Sequence, residues 1–192
     1  MTVASQVEYP LTPEQQKMAG LIAREFMWAG LPPEFAAAAI VNAWHESRLN
    51  PGIQSGVVSD TGVREDSVGL FQLYIHGAGA DMVLADGTDL RSDPNLNTRR
   101  IIQEVKHPTY GKAMFADYNA GNRSISHFAG LFARDIERCA ACDGSSKRQR
   151  EETALKFFPT DRVKPFYQKW WFWTLVALAT GGTLWYRQQQ RT

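Results

Sequence analysis

At 192 residues with 44% apolar side chains, the chain is long enough for one globular domain and an appendage. Its net charge of +1 excludes a strongly basic nucleic-acid binder. The charge is unevenly spread: from Arg162 onward there are five basic residues and no acid, so residues 1–161 hold 16 basic against 20 acidic side chains. A mildly acidic body precedes a basic tail.

In chain order, residues 1–9 show no basic leader followed by an apolar core, so no secretory signal is expected there. Thr12-Pro13-Glu14-Gln15 reads as a helix start, with Thr12 as N-cap, Pro13 at the first position and Gln15 closing a capping box. Met18, Leu21, Ile22, Phe26 and Ala29 recur at helical spacing until Gly30. A second helix is expected from Pro32-Pro33 through Phe35, Ile40, Val41 and Trp44. Pro51 disfavours helical geometry at Asn50, so this helix ends near His45–Arg48 and Glu46 falls in its last turn. Residues 52–68 read as a loop with a short hairpin. Helices are expected over Asn95 to about Val105, Tyr110 to Tyr118 and Ser124 to about Ala141. Asn119-Ala120-Gly121-Asn122 is a turn, and a short helix ends before Pro159.

The end of the chain is different. Trp170 to Tyr186 is a run of seventeen uncharged residues, with Trp170, Trp171 and Trp173 at one end and Trp185 and Tyr186 at the other. As a helix it would span roughly 25 Å, near the lower limit for crossing a bilayer, with aromatic belts and flanking Lys169 and Arg187. The expected organisation is a helical domain over 10–160, a basic linker over 161–169 and a transmembrane or hydrophobic helix over 170–187. Packing of that helix on protein is the alternative.

Glu46 carries the chemistry. A carboxyl placed against an apolar wall keeps its proton to higher pH than in water, as an acid that protonates a leaving oxygen must. Ala36–Ile40, Val41, Ala43 and Trp44 supply such a wall. Glu46-Ser47 is followed by Gly69-Leu70-Phe71-Gln72, by Asp93-Pro94-Asn95-Leu96-Asn97 and by Asp117-Tyr118-Asn119-Ala120-Gly121. In this order, over about residues 15–135, the segments resemble those of the lysozyme-like lytic transglycosylases. That resemblance implies a mainly α, lysozyme-like fold and cleavage of the MurNAc–GlcNAc β-1,4 bond of peptidoglycan. Glu46 would first protonate the leaving oxygen and then act as base towards the sugar's C6 hydroxyl, leaving a 1,6-anhydro end. It further implies that Ser47, Gly69, Gln72, Tyr118 and Asn119 bind substrate, with Gly69 admitting the sugar and Tyr118 bonding near Glu46. Two departures stand out. Asp117 replaces the usual alanine before the tyrosine, and the Glu46–Gln72 spacing is lengthened by a loop carrying Asp60, Glu65 and Asp66. Goose-type lysozymes of the same architecture hold a hydrolytic water with an acid two residues after the glutamine, where this chain has Tyr74. That favours transglycosylation, with a role for Asp60 or Asp66 left open.

Other candidates are weaker. Cys139-Ala140-Ala141-Cys142 has knuckle spacing without a second cysteine pair, so no metal site and no cofactor are expected. His45 should point to a different face of the helix from Glu46, as a packing or cleft-lining residue and not a triad member. Lys147-Arg148-Gln149-Arg150, balanced by Glu151 and Glu152, reads as a solvated loop. The expected partners are glycan strands, a membrane through the C-terminal helix and other virion proteins, with no nucleic acid. A wall enzyme without an export signal needs another route to its substrate, and carriage in a phage virion for host entry supplies one. The expected location is therefore the virion and host envelope, or else the bacterial inner membrane. A hydrolase of the goose type and a non-catalytic glycan-binding or membrane-docking protein remain the alternatives.

Overall fold

The computed structural model describes residues 3–56, 66–138 and 144–163. The C-terminal segment expected to be a hydrophobic helix, the cysteines and Asp60 and Glu65 lie outside the described residues. Among the described residues, no helix is long and apolar enough to cross a membrane.

Six α-helices and one two-stranded hairpin make up the described core: α1 (Pro13–Trp28), α2 (Pro33–Ser47), β1 (Ser67–Val68), β2 (Leu73–Tyr74), α3 (Pro94–Lys106), α4 (Lys112–Asn119), α5 (Ile125–Leu131) and α6 (Ser145–Phe157). A 3-10 turn, Val3–Gln6, precedes α1, and α5 runs on into a π-helical turn, Phe132–Glu137. The capping box at Thr12 forms as expected, the Thr12 hydroxyl accepting from Gln15 N and the Gln15 amide from Thr12 N. Asp93 caps α3 by accepting from Asn95 N and Leu96 N, with Pro94 in the first turn. Each such cap is worth about 1 kcal/mol.

The axis of the domain is α2. Its residues from Glu34 to Ala43 are all buried, and the small side chains of Ala36–Ala39 let neighbouring helices approach closely. Around it pack α1, α5, α6 and the π-helical turn. Phe26, Phe35, Ile40, Phe128, Phe132 and Phe157 fill the space between them. Arg48 ends α2 in the left-handed conformation, at φ 55°. The domain's last described segment is clasped to α5: Asp161 accepts from Ser124 Oγ, Ser126 Oγ and Ser126 N at 2.6–3.0 Å.

The hairpin is antiparallel, pairing Ser67 with Tyr74 and Val68 with Leu73, so Gly69-Leu70-Phe71-Gln72 forms its turn. Two buried side chains hold it. Asn97 of α3 accepts from Phe71 N at 3.1 Å and donates to the Val68 and Arg91 carbonyls. The Arg91 guanidinium is almost fully buried and binds the Asp66 and Leu73 carbonyls together with the Asp66 and Asp89 carboxylates. Buried charge needs this degree of satisfaction to be tolerated.

Candidate active site

A cleft of about 580 Å³ opens at the C-terminal end of α2. Glu46, Phe71, Gln72, Tyr74, Ile136 and Glu137 line it, with the hairpin on one side and the π-helical turn on another. Glu46 therefore stands where the sequence places it, in the last turn of a buried helix, and Gln72 shares its cleft. Gln72 adopts φ 45°, and its amide nitrogen donates to the Ile53 and Gly69 carbonyls at 3.1 and 2.9 Å, which fixes the side chain.

Glu46 is not alone. Arg150 of α6 donates through Nη2 to Glu46 Oε1. The same nitrogen lies 3.4 Å from Glu137 Oε2, so both carboxyls meet at one guanidinium group and each feels the charge of the other. Asn42, one helical turn before Glu46, orients the guanidinium. Its Oδ1 accepts from Arg150 Nε at 3.2 Å while its amide donates to the Ala38 and Ala129 carbonyls. The Glu137 side chain is 5% exposed against 23% for Glu46. Burial pushes the Glu137 carboxyl up to about 8, the Glu46 charge adds to the rise and Arg150 opposes it. The reading of Lys147–Arg150 as a solvated loop is thus corrected: these residues are helical, and Arg150 is buried because it answers two carboxyls from elsewhere in the chain. Glu137 brings to the site a second carboxyl that the sequence reading did not single out.

Among the other sequence candidates, Ser47 is buried, its Oγ 2.9 Å from both the Ala43 and the Leu70 carbonyl oxygens, so it ties α2 to the hairpin turn. Gly69 has φ 90°, and a Cβ there would come within 2.3 Å of the Arg91 carbonyl and the Asn97 amide. Its glycine serves close packing of the turn on α3; it is not among the residues that line the cleft. Tyr118 packs its ring against Phe35 and Phe128, under the Arg123 guanidinium, and Asn119 is exposed at the end of α4. Phe35 is eleven residues before Glu46 on α2, roughly 16 Å along the helix, so the Tyr118–Asn119 turn sits at the far end of α2 from the cleft. Asp117 pairs with His127 at 2.7 Å, and Asp66 is engaged by Arg91. His45 turns away from the cleft, with Nε2 2.8 Å from Thr153 Oγ1 and its ring edge-on to Trp44. Tyr74 is exposed on the cleft wall. Among the described residues, no cluster of side chains is suited to hold a metal ion.

The family described as phage tail lysozyme matches residues 17–160, which takes in α2, the cleft, both carboxyls and Arg150. No curated protein and no solved structure matches the chain.

Proposed function

This chain belongs to the phage tail lysozyme family, a family of peptidoglycan-degrading phage proteins, and on that premise we propose that it is a lytic transglycosylase acting on glycan strands, with Glu46 as its acid and base. The observation that carries this reading is the placement of Glu46 and Gln72 on one cleft of about 580 Å³. A glycan strand lying in the cleft brings its glycosidic oxygen to Glu46. Proton donation breaks the C1–O bond, and the same carboxylate then takes the proton of the C6 hydroxyl as that oxygen closes on C1. Such acid–base assistance contributes about 100- to 10,000-fold. Glu46 stands at the C-terminal end of α2, where the helix dipole disfavours negative charge.

The transglycosylase outcome is favoured over hydrolysis by what lines the cleft. Glu46 and Glu137 share one guanidinium nitrogen, whereas the two carboxyls of a retaining or inverting hydrolase flank the scissile bond. Among the described residues that line the cleft, Gln72, Tyr74, Gly77 and Ala78 bring no carboxylate to hold a water as a base would. Tyr74 offers an aromatic face to a sugar ring at the position where goose-type enzymes carry an acid. Mass spectrometry of products from purified sacculi tests this directly. Anhydro ends support the reading, and products heavier by one water overturn it in favour of a lysozyme.

The seventeen uncharged residues over 170–186 support membrane tethering of the domain, and the family supports delivery in the virion during entry. Co-purification with virions, and flotation of the full chain with lipid vesicles, test these two parts separately.

A further inference from the structure

Glu137 is a buried carboxyl that the proposed reaction does not itself require. Its Oε1 is buried without a hydrogen-bond partner, and its Oε2 lies 3.4 Å from the Arg150 nitrogen that also holds Glu46. Two carboxylates against one guanidinium would leave a net negative charge in a largely dehydrated place. Retaining one proton on the pair removes that cost.

Building on the reading of Glu46 as the acid, we propose that Glu137 is a positioning residue that keeps one proton within the Glu46–Glu137–Arg150 cluster and passes it to Glu46 when glycan fills the cleft. In the empty cleft Glu46 is the more exposed of the two, so water and Arg150 together stabilise its anion, and the proton rests on Glu137. The raised titration of Glu137 agrees with that resting form. A sugar seated over Glu46 displaces the water and removes the advantage of the Glu46 anion. The proton then passes from the Glu137 carboxyl to the Glu46 carboxyl, the two meeting at the same Arg150 nitrogen. Glu137 becomes the carboxylate, and Arg150, already 3.4 Å away, pairs with it. No charge enters or leaves the cluster. Without this arrangement a catalytic acid paired to arginine would stay ionised, and ionised it cannot protonate a leaving oxygen.

The surrounding charges leave this exchange undisturbed. From α2, His45 is pushed down to about 4, first by burial and then by Arg150 and Arg48, so it is neutral at working pH. From α3, Glu104 is engaged by Arg100 and by Arg138, the residue after Glu137. From α6, Lys147 pairs with Glu151. On α5, His127 is engaged by Asp117.

The test is the pH–rate profile of anhydromuropeptide release by the full chain carrying Glu137→Gln. Glutamine keeps the shape of the side chain and removes the exchangeable proton and the charge. The expected result at about pH 7 is a kcat at least about tenfold lower with KM little changed. The alkaline limb should move acidward by about one pH unit or more, recovering much of the rate near pH 5, and Glu137→Asp should move it back. A limb that stays in place, whether or not the rate is scaled down, overturns the proposal, because a merely structural role would lower all rates alike. Should the glutamine variant fail to fold, carbon-13 NMR of the glutamate carboxyls in the intact protein decides. One carboxyl titrating above about pH 6.5 supports the shared proton, and none overturns it. Glu46→Gln separates the two claims: retained activity there sinks the assignment of the acid, while the Glu137 profile and titration judge the proton exchange.

Discussion

At the N-terminal end of α2, Glu34 is buried with Oε2 lacking a hydrogen-bond partner, and Arg123 is the charge that opposes it. At the C-terminal end, Glu46 and the buried Glu137 converge on Arg150. The ingredients match, and the settings do not. Glu34 lies in the first turn of its helix, where the dipole favours an anion, and burial raises its carboxyl above the usual range against that dipole and Arg123. Glu46 lies in the last turn, where the dipole opposes an anion, and it faces a cleft large enough for a sugar chain. The Tyr118–Asn119 turn, which resembles a substrate-binding segment, is at the Glu34 end. A residue type in a matching motif therefore says less than which end of the helix it occupies and whether space opens beside it.

This contrast can be broken by substitution at each end. The largest effect is expected for Glu46→Gln, a loss of about 100- to 10,000-fold in anhydromuropeptide release with binding to sacculi retained. Retention of full activity would remove the cleft from consideration. Glu34→Gln, measured in the same assay, should change activity by less than about threefold, since an acid remote from the reacting bond supplies no proton transfer.

Next comes the wall of the cleft. Gly69→Ala should destabilise the domain by more than about 1 kcal/mol in denaturant unfolding, because φ 90° and the 2.3 Å approach to the Arg91 carbonyl both exclude a Cβ. A stability equal to wild type would mean that the hairpin turn is looser than the Asn97 and Arg91 contacts imply.

The pH dependence of stability sharpens the comparison further. Glu137 holds its proton to about 8 in the folded protein and to about 4.3 when unfolded. Between those values the folded state binds more protons, so its contribution is complete below about pH 4.3 and is lost as pH rises through about 8. Glu137→Gln should flatten that alkaline decline in melting temperature. His45 acts with opposite sign. Its folded value near 4 lies below the ordinary value of 6.5, so the unfolded state binds more protons between them and stability falls as pH drops through that window. His45→Gln should reduce the acidic loss and leave the alkaline one.

The smallest effect is expected at the far end of α2. Tyr118→Phe and Asn119→Ala should each change kcat/KM by less than about threefold, below the range in which substrate-contacting groups are recognised. A loss above about tenfold would show that glycan reaches much farther along the domain than the cleft described.

Much of the fold is legible locally, because caps and breakers act within a few residues. Thr12 with Gln15, Asp93 with Pro94, and the stop before Pro51 place three helix ends to within a residue or two. Glu46 is legible for the same reason. Arg150 is not, because Lys147-Arg148-Gln149-Arg150-Glu151-Glu152 has the composition of a solvated segment, and its real partners are Asn42, Glu46 and Glu137. Glu137 is hidden by a change of period. Arg138 N bonds to the Ala133 carbonyl, five residues back, so the π-helical turn takes one residue more than an α-turn. Glu137 then occupies the place that α-helical counting gives to Ile136. Gly69 is different again: the glycine is held close to Asn97 and Arg91, which local sequence does not show to be its neighbours.

The charge-stitched hairpin wall has a bearing on acid tolerance. Its hydrogen bonds to Arg91 hold the Asp89 carboxyl below the ordinary range, so that tie persists until the medium is more acidic than a free aspartate would need. Mild acidification therefore leaves the Asp89–Arg91 tie behind Gln72 and Tyr74 in place. Activity lost or regained in that interval is a record of chemistry and not of a collapsing wall.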